Sequence, residues 1–322
     1  MRLLVTGGSG FLGSWIVRRL VEEQHHVRVL HRAHSDLSSL NGVKYESAVG
    51  DITNAESLIA ATRDIEVVFH VAGLVSYSPL DFKLMEAINV KGTVNVIEAC
   101  TKAKVPRLIF TSSVVAVGAT DEPKNLNEES PYTLQKYNLG YYETKRRAEI
   151  LVIEASKNKT LNGIILNPGV IFGAGDAVKG SRKTHLKVIQ GKFPFYPPGG
   201  VNVLHVDDVV AAHISALKNG RSGERYILGG DNLGIHKFFE MLALAGGHRP
   251  PPIALPSWFL RGASNFSRAL KLKGASDSYL ISTLYHFYDS SKARKELGFN
   301  PRPAITAIEE SVAWSRAHGF IR

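Results

Sequence analysis

The stretch Thr6-Gly7-Gly8-Ser9-Gly10-Phe11-Leu12-Gly13 constrains this chain more than any other. It follows Leu3-Leu4-Val5, an apolar run of strand length. It precedes residues 12–23, where Leu12, Trp15, Ile16, Leu20 and Val21 recur at helical spacing. Gly8, Gly10 and Gly13 fit G-x-G-x-x-G, and Gly7, Gly10 and Gly13 fit G-x-x-G-x-x-G. In either register, a turn without side chains lets backbone N–H groups approach a pyrophosphate at a helix N-terminus, where the dipole favours an anion. A glycine motif alone is weak evidence. Its position between a strand and an amphipathic helix gives it meaning, and the expectation is a dinucleotide cofactor rather than an ordinary tight turn.

Strand and helix patterns continue to alternate. Val27 to Leu30, Val67 to Phe69, Leu108 to Phe110 and Leu161 to Leu166 read as buried strands. Residues 83–103 give a helical pattern through Leu84, Ile88, Val94 and Ile97. Such alternation implies right-handed βαβ crossovers and a parallel sheet covered on both faces. The fold class is therefore α/β, a Rossmann-type doubly wound parallel sheet. After Pro168 glycine and proline cluster and the helices shorten, which predicts a smaller C-terminal substrate-binding lobe. The expected division is residues 1–167 for the dinucleotide domain, with a return segment near 201–218, and residues 168–322 for the interleaved lobe.

With 322 residues, 44% of them apolar and 21% charged, the chain can bury a core unaided, and disorder is excluded. One cysteine, Cys100, excludes an intrachain disulfide. Met1-Arg2 run directly into the first strand, so no signal segment is read, and a cytoplasmic location is expected. The net charge of +10 suits an anionic cofactor, substrate or surface. No nucleic-acid module accompanies it, so nucleic acid is not an expected partner, and no metal site is read.

The second strand selects the dinucleotide. An acid about 20 residues past the glycines would hold a ribose 2′-OH. Here the strand ends Val29-Leu30-His31-Arg32; Glu22 and Glu23 come too early and Asp36 too late. The Arg32 guanidinium instead suits a 2′-phosphate, with His34 and Ser35 beside it. NADP(H) is favoured, and NAD(H) remains the alternative.

Tyr141 and Lys145 lie at i and i+4, on one helix face. The pattern alone says little, since Tyr132/Lys136 and Tyr288/Lys292 share it. Context selects Tyr141/Lys145, which opens a helical stretch and lies 28 residues beyond Ser113, itself at the end of a buried strand. Reducing a carbonyl needs a proton for the developing alkoxide. A tyrosine whose pKa is lowered by an ammonium can give it, and a serine hydroxyl can hold the oxygen.

Further motifs complete a pattern. They are Gly50-Asp51-Ile52-Thr53, Phe69-His70-Val71-Ala72-Gly73, Asn89-Val90-Lys91-Gly92-Thr93 and Phe110-Thr111-Ser112-Ser113. Ala148-Glu149, His205-Val206-Asp207-Asp208-Val209 and Tyr288-Asp289-Ser290-Ser291-Lys292 follow. With these the chain resembles, over nearly its whole length, the extended short-chain dehydrogenase/reductase family (the NAD-dependent epimerase/dehydratase superfamily). Within it, the chain is similar to the dihydroflavonol-reductase-like branch, which includes hopanoid-associated sugar epimerase-like proteins. The resemblance implies a catalytic set of Ser113, Tyr141 and Lys145. It puts Asp51 and Ile52 at the adenine, and Val71, Ala72 and Gly73 along the phosphate–ribose side. Asn167, Pro168 and Val170 should border the nicotinamide. Phe11, Leu12 and Thr111 belong to the same cofactor surroundings, and Asn89 should support the strand carrying Ala72. It also implies a homodimer through helices around 83–103 and 138–156.

Several of these residues have plainer readings. Asp51 can shape a turn before a capping box, Thr53 to Glu56. Asp207 or Asp208 reads as the N-cap of a helix over 208–218. His70 reads as a satisfied core histidine. Sugar-nucleotide members often carry arginine before the proline of the R-P-x-x-V-Y-G segment, where this chain has Asn167.

On the substrate side, Lys179, Arg182, Lys183 and Lys187 are either a phosphate grip or, more simply, a solvated helix face. Residues 257–273 combine Trp258, Phe259, Phe266 and Leu270 with four cations, which predicts an apolar lid; membrane contact is the reading set aside. The first expectation is an NADP(H)-dependent oxidoreductase reducing an apolar ketone or aldehyde. The alternatives are a sugar-nucleotide epimerase or dehydratase with tightly bound NAD, and a non-catalytic dinucleotide sensor.

Overall fold

The computed structural model describes residues 1–178, 182–270 and 276–321. Seven strands form the central sheet: β1 (Arg2–Thr6), β2 (His26–His31), β3 (Glu46–Val49), β4 (Val67–His70), β5 (Arg107–Thr111), β6 (Asn162–Pro168) and β9 (Arg225–Leu228). Their order is β9-β6-β5-β4-β1-β2-β3 and every pairing is parallel. The order reverses at β1/β4, the switch point where a doubly wound sheet opens a crevice at its carboxyl ends. β3 and β9 are the two edges; β3 does not show as an apolar run in the sequence, whereas β9 carries Tyr226-Ile227-Leu228.

The sheet is buried because both faces are covered. On one side α1 (Phe11–Glu22) and α6 (Val206–Asn219) pack Ile16, Leu20, Val209 and Ala216 against Leu3, Val5 and Phe69. On the other, α2 (Ala55–Ala61), α3 (Gly92–Lys102) and α4 (Gly140–Lys157) pack Leu58, Val96, Ala148 and Val152 against Leu4, Val68 and Leu108. Emptying one such position, as in Leu20→Ala, costs about 2–5 kcal/mol.

The helix expected over 83–103 forms without a break, but it is not α-helical throughout. Its middle, Glu86–Lys91, is a π-helical segment, and α3 begins only at Gly92. Single π turns inside helices frequently mark functional sites, and this one carries Asn89.

The second lobe is built on β7 (Val170–Phe172), β8 (Gly200–His205) and β10 (Asp231–Gly234), a separate sheet in the order β10-β8-β7. α5 (Lys183–Ile189), α7 (Ile235–Ala245) and α11 (Ala304–Ala317) pack on it through Val188, Phe238, Leu242 and Ile308. α8 (Ser257–Ala269) and α9 (Ser276–Ile281) lie further out, while α10 (Ser291–Leu297) returns to α6 through Ala293 and Leu297. No described helix is long and apolar enough to cross a membrane.

Two expected helix caps are replaced. α2 is capped by Asn54, whose Oδ1 accepts from the Ser57 N–H at 3.0 Å; Thr53 instead donates its hydroxyl and its N–H to Asp51 Oδ1. α6 starts earlier than expected, and its cap is His205. The His205 Nδ1 accepts from the Asp207 N–H at 3.0 Å, which puts the proton on Nε2, 2.6 Å from Glu310. Asp208 lies in the first turn and binds Arg302.

Candidate functional site

The glycine turn is built for close approach. Gly7 has φ +72, and a Cβ there would lie 2.7 Å from the Ala72 nitrogen. A Cβ on Gly13 would lie 2.1 Å from the Gly7 carbonyl oxygen. These two positions exclude any side chain and bring the β1 turn against the segment after β4. α1 has no side-chain cap at Gly10 and no acid in its first turn. Its N–H groups and positive dipole end therefore stay available to an anion. A cradle closed to Cβ atoms below an uncapped helix N-terminus fits a dinucleotide pyrophosphate. Phe11 lies beside Gly175 of the second lobe, and Leu12 turns into the core.

Around the turn, Ala72 and Val71 are fastened to Thr6 through Val71 N–H to the Thr6 carbonyl at 3.2 Å. Ile52 is buried against Gly92, with its carbonyl accepting from Asn95 at 2.9 Å. Arg32 is exposed just past β2, and its guanidinium pairs with no carboxylate among the described residues. The Ser35 hydroxyl accepts the Arg32 N–H at 3.1 Å, closing a small loop there. Asp36 is occupied by the Ser38 N–H at 2.9 Å.

Ser113, Tyr141 and Lys145 converge where β5 ends and α4 begins. The Ser113 hydroxyl stands near the Tyr141 phenol. Burial raises the Tyr141 phenol well above its usual range; Tyr77 adds to the rise, and the nearby Ser113 hydroxyl offsets part of it. The lowering by Lys145 expected from the sequence is therefore absent: the phenol is held protonated. Lys145 is itself buried and donates from Nζ to the Thr111 carbonyl at 2.8 Å. Burial pulls its pKa down to about 8, and Glu149 resists that shift. The Thr111 hydroxyl is engaged with His213 at 2.9 Å, so its carbonyl is the group that serves Lys145.

Asn89 is a staple. Its Oδ1 accepts the Leu74 N–H at 2.8 Å, and its Nδ2 donates to the Leu74 carbonyl at 3.0 Å and to Thr144 on α4 at 3.2 Å. It joins the segment after β4 to the helix that carries Tyr141. Asn167 is likewise inward: it donates to the Ser113 carbonyl at 3.0 Å and to Glu149 at 2.6 Å. Pro168 ends β6, and Val170 opens β7 at the fork between the two sheets. His70 is fully buried between Thr6 and Thr93, as a core histidine should be.

Two residues of the site escaped sequence reading. Tyr77 stands edge-on to Tyr141, ring centroids 6.2 Å apart. Glu149 accepts from Ser112 at 2.6 Å and from Arg225 at 3.0 Å. Glu149 stands one turn beyond Lys145, a spacing that offered a signal; Tyr77 offered none.

The basic stretch is not the uniform face its spacing suggested. Lys179 lies outside the described residues. Arg182 is buried, pairs with Asp176 at 3.0 Å and stacks over Phe172 at 3.4 Å, so it is no solvated cation. Only Lys183 and Lys187 are exposed. The expected lid is also differently turned: Trp258, Phe259 and Phe266 of α8 face solvent.

The chain matches the 3-beta hydroxysteroid dehydrogenase/isomerase family over residues 4–229 and belongs to it. It is therefore an enzyme of the NAD(P)-dependent oxidoreductase type. Among similar proteins, a putative dihydroflavonol 4-reductase of Synechocystis sp. is 30% identical, covering 99% of this chain and 95% of its own. Sterol demethylase protein B of Methylococcus capsulatus is also 30% identical, over all of both chains. The crystal structure of gox2253 superposes with a TM-score of 0.89 at 34% identity, covering 99% of each chain. A nucleoside-diphosphate-sugar epimerase of Pseudomonas aeruginosa shares the fold, with a TM-score of 0.82 at 23% identity over 100% and 99% of the chains.

Proposed function

We propose that the protein is an NADP(H)-dependent carbonyl reductase, running reversibly as an alcohol dehydrogenase, with an apolar ketone or aldehyde as substrate. The single observation that carries this reading is the partly buried phenol of Tyr141, set near Ser113 and one helical turn from the buried ammonium of Lys145. The dinucleotide, when bound, supplies the hydride. The Gly7 to Gly13 turn would hold its pyrophosphate and Arg32 its 2′-phosphate.

Tyr141 gives its proton to the carbonyl oxygen, which becomes the alcohol. Ser113 donates a hydrogen bond to the same oxygen and stabilises the charge developing there. A phenol held protonated suits reduction, because it is the acid form that is needed. Lys145 keeps positive charge beneath the site and would reach the nicotinamide ribose. Asn89 fixes α4 against the segment after β4, and so fixes where Tyr141 sits.

Burial of Arg182 on Asp176 weakens the epimerase alternative, since it takes one of the four cations from the phosphate grip that favoured it. A panel of apolar ketones and aldehydes, followed by loss of NADPH absorbance, tests the proposal. Turnover that falls by about 10²–10⁴ in Tyr141→Phe, with NADPH binding intact, supports it. Turnover that survives Tyr141→Phe refutes it.

A further inference from the structure

α8 has its polar side inward. Arg261 donates to Asp121 at 2.6 Å, Arg268 grips Asp277 at 2.6 and 2.9 Å, and Ser264 donates to the Ser276 carbonyl at 3.0 Å. Leu260 is buried beneath them. The opposite arc carries Trp258, Phe259, Gly262, Phe266, Ala269 and Leu270, with the Trp258 indole N–H as its one polar side-chain group. Trp258 is 75% exposed, Phe266 63%, Leu270 56% and Phe259 49%. Scattered surface apolar residues need no explanation, but a contiguous aromatic face does. A lid over the site would turn this face toward the protein; here the cations take that position.

The charge around the helix says what covers the face. From Arg249 to Ser276 the sequence holds no Asp or Glu. In sequence Arg249 precedes the helix, and Lys271 and Lys273, which lie outside the described residues, follow it, in a chain of net charge +10. That charge works against pairing of two copies and favours an anionic surface. Exposed Trp and Phe flanked by cations is the chemistry of an interfacial helix, lying in the plane of the headgroups. We propose that α8 docks the protein onto an anionic lipid bilayer, its apolar arc entering the interface while Arg261 and Arg268 stay tied to the protein. The inference is independent of the reading of the active site. Its inner face leads toward that site, because α9 beneath it hydrogen-bonds the Tyr77 carbonyl through the Asp277 N–H at 3.2 Å.

The test is vesicle flotation of the full chain, with phosphatidylcholine vesicles with and without phosphatidylglycerol. The wild type should float with the anionic vesicles, less with neutral ones, and less in high salt. A Trp258→Ser/Phe266→Ser variant should partition at least about tenfold more weakly. Its melting temperature and NADPH binding should be unchanged. If that variant fails to fold, the wild type still decides: tryptophan emission should shift to the blue on adding anionic vesicles. No flotation of the wild type, or flotation indifferent to the two substitutions, overturns the proposal. So does concentration-dependent self-association that the substitutions abolish, which would make a second copy the occupant.

Discussion

The side-chain amide of Asn167 donates a hydrogen bond to Glu149 Oε2 at 2.6 Å, with both residues buried. Through the same amide group Asn167 holds the Ser113 carbonyl, and through its other carboxylate oxygen Glu149 holds Arg225. The end of β5, the end of β6 and the edge strand β9 are thereby joined beneath the site.

Removing the carboxylate should be expensive. Glu149→Ala takes one acceptor from each of Asn167, Ser112 and Arg225, and should lower unfolding free energy by about 3 kcal/mol in urea titrations. Glu149→Gln should cost less and be more telling. Glu149 opposes the burial that pulls Lys145 down to about 8. Without its charge, Lys145 should lose its proton at lower pH, so the alkaline limb of the pH–rate profile should move down. An unmoved limb would separate Glu149 from Lys145.

The cradle makes its own prediction. Gly7→Ala forces a Cβ into the Ala72 backbone at positive φ, and Gly13→Ala forces one into Gly7. Each should weaken dinucleotide binding by at least about tenfold and lower the melting temperature, as read by calorimetry.

Acid should unfold the protein early. Burial pulls His70 down to about 3, and His213 and His286 to about 4. Each stays neutral in the folded chain while the unfolded chain takes up a proton below about 6.5. Protons then favour the unfolded state, and each histidine removes about 1.4 kcal/mol per pH unit as pH falls from about 6.5 toward 4. Melting temperature should be flat above pH 7 and drop between pH 6 and 4. His213→Asn should be less stable at neutral pH but show a shallower drop.

Much of this was legible locally. The glycine turn, the buried strands and the Tyr141/Lys145 face are set by spacing within a few residues, and spacing is what a sequence displays. The edge β3 was not, because Glu46–Val49 mixes polar residues into its run, and β9 was not, because its short apolar run Tyr226 to Leu228 lies after Pro168, where the alternation of strand and helix loosens. The caps went to Asn54 and His205 because a cap depends on where the first helical residue falls, which Thr53 or Asp207 cannot report. The roles of Asn167 and Glu149 needed three strands to be brought together. The sense of α8 was hidden too: its amphipathic pattern is plain, but only the positions of Asp121 and Asp277 fix which side is out.

The central claim is a dissociable NADP(H) selected by Arg32. Titrating NADPH and NADH by calorimetry into the wild type and Arg32→Ala tests it most directly. The account predicts that the wild type prefers NADPH by at least about tenfold and that Arg32→Ala loses that preference while keeping NADH affinity. Equal affinity for both, a preference for NADH, or NAD that stays bound through purification would contradict it.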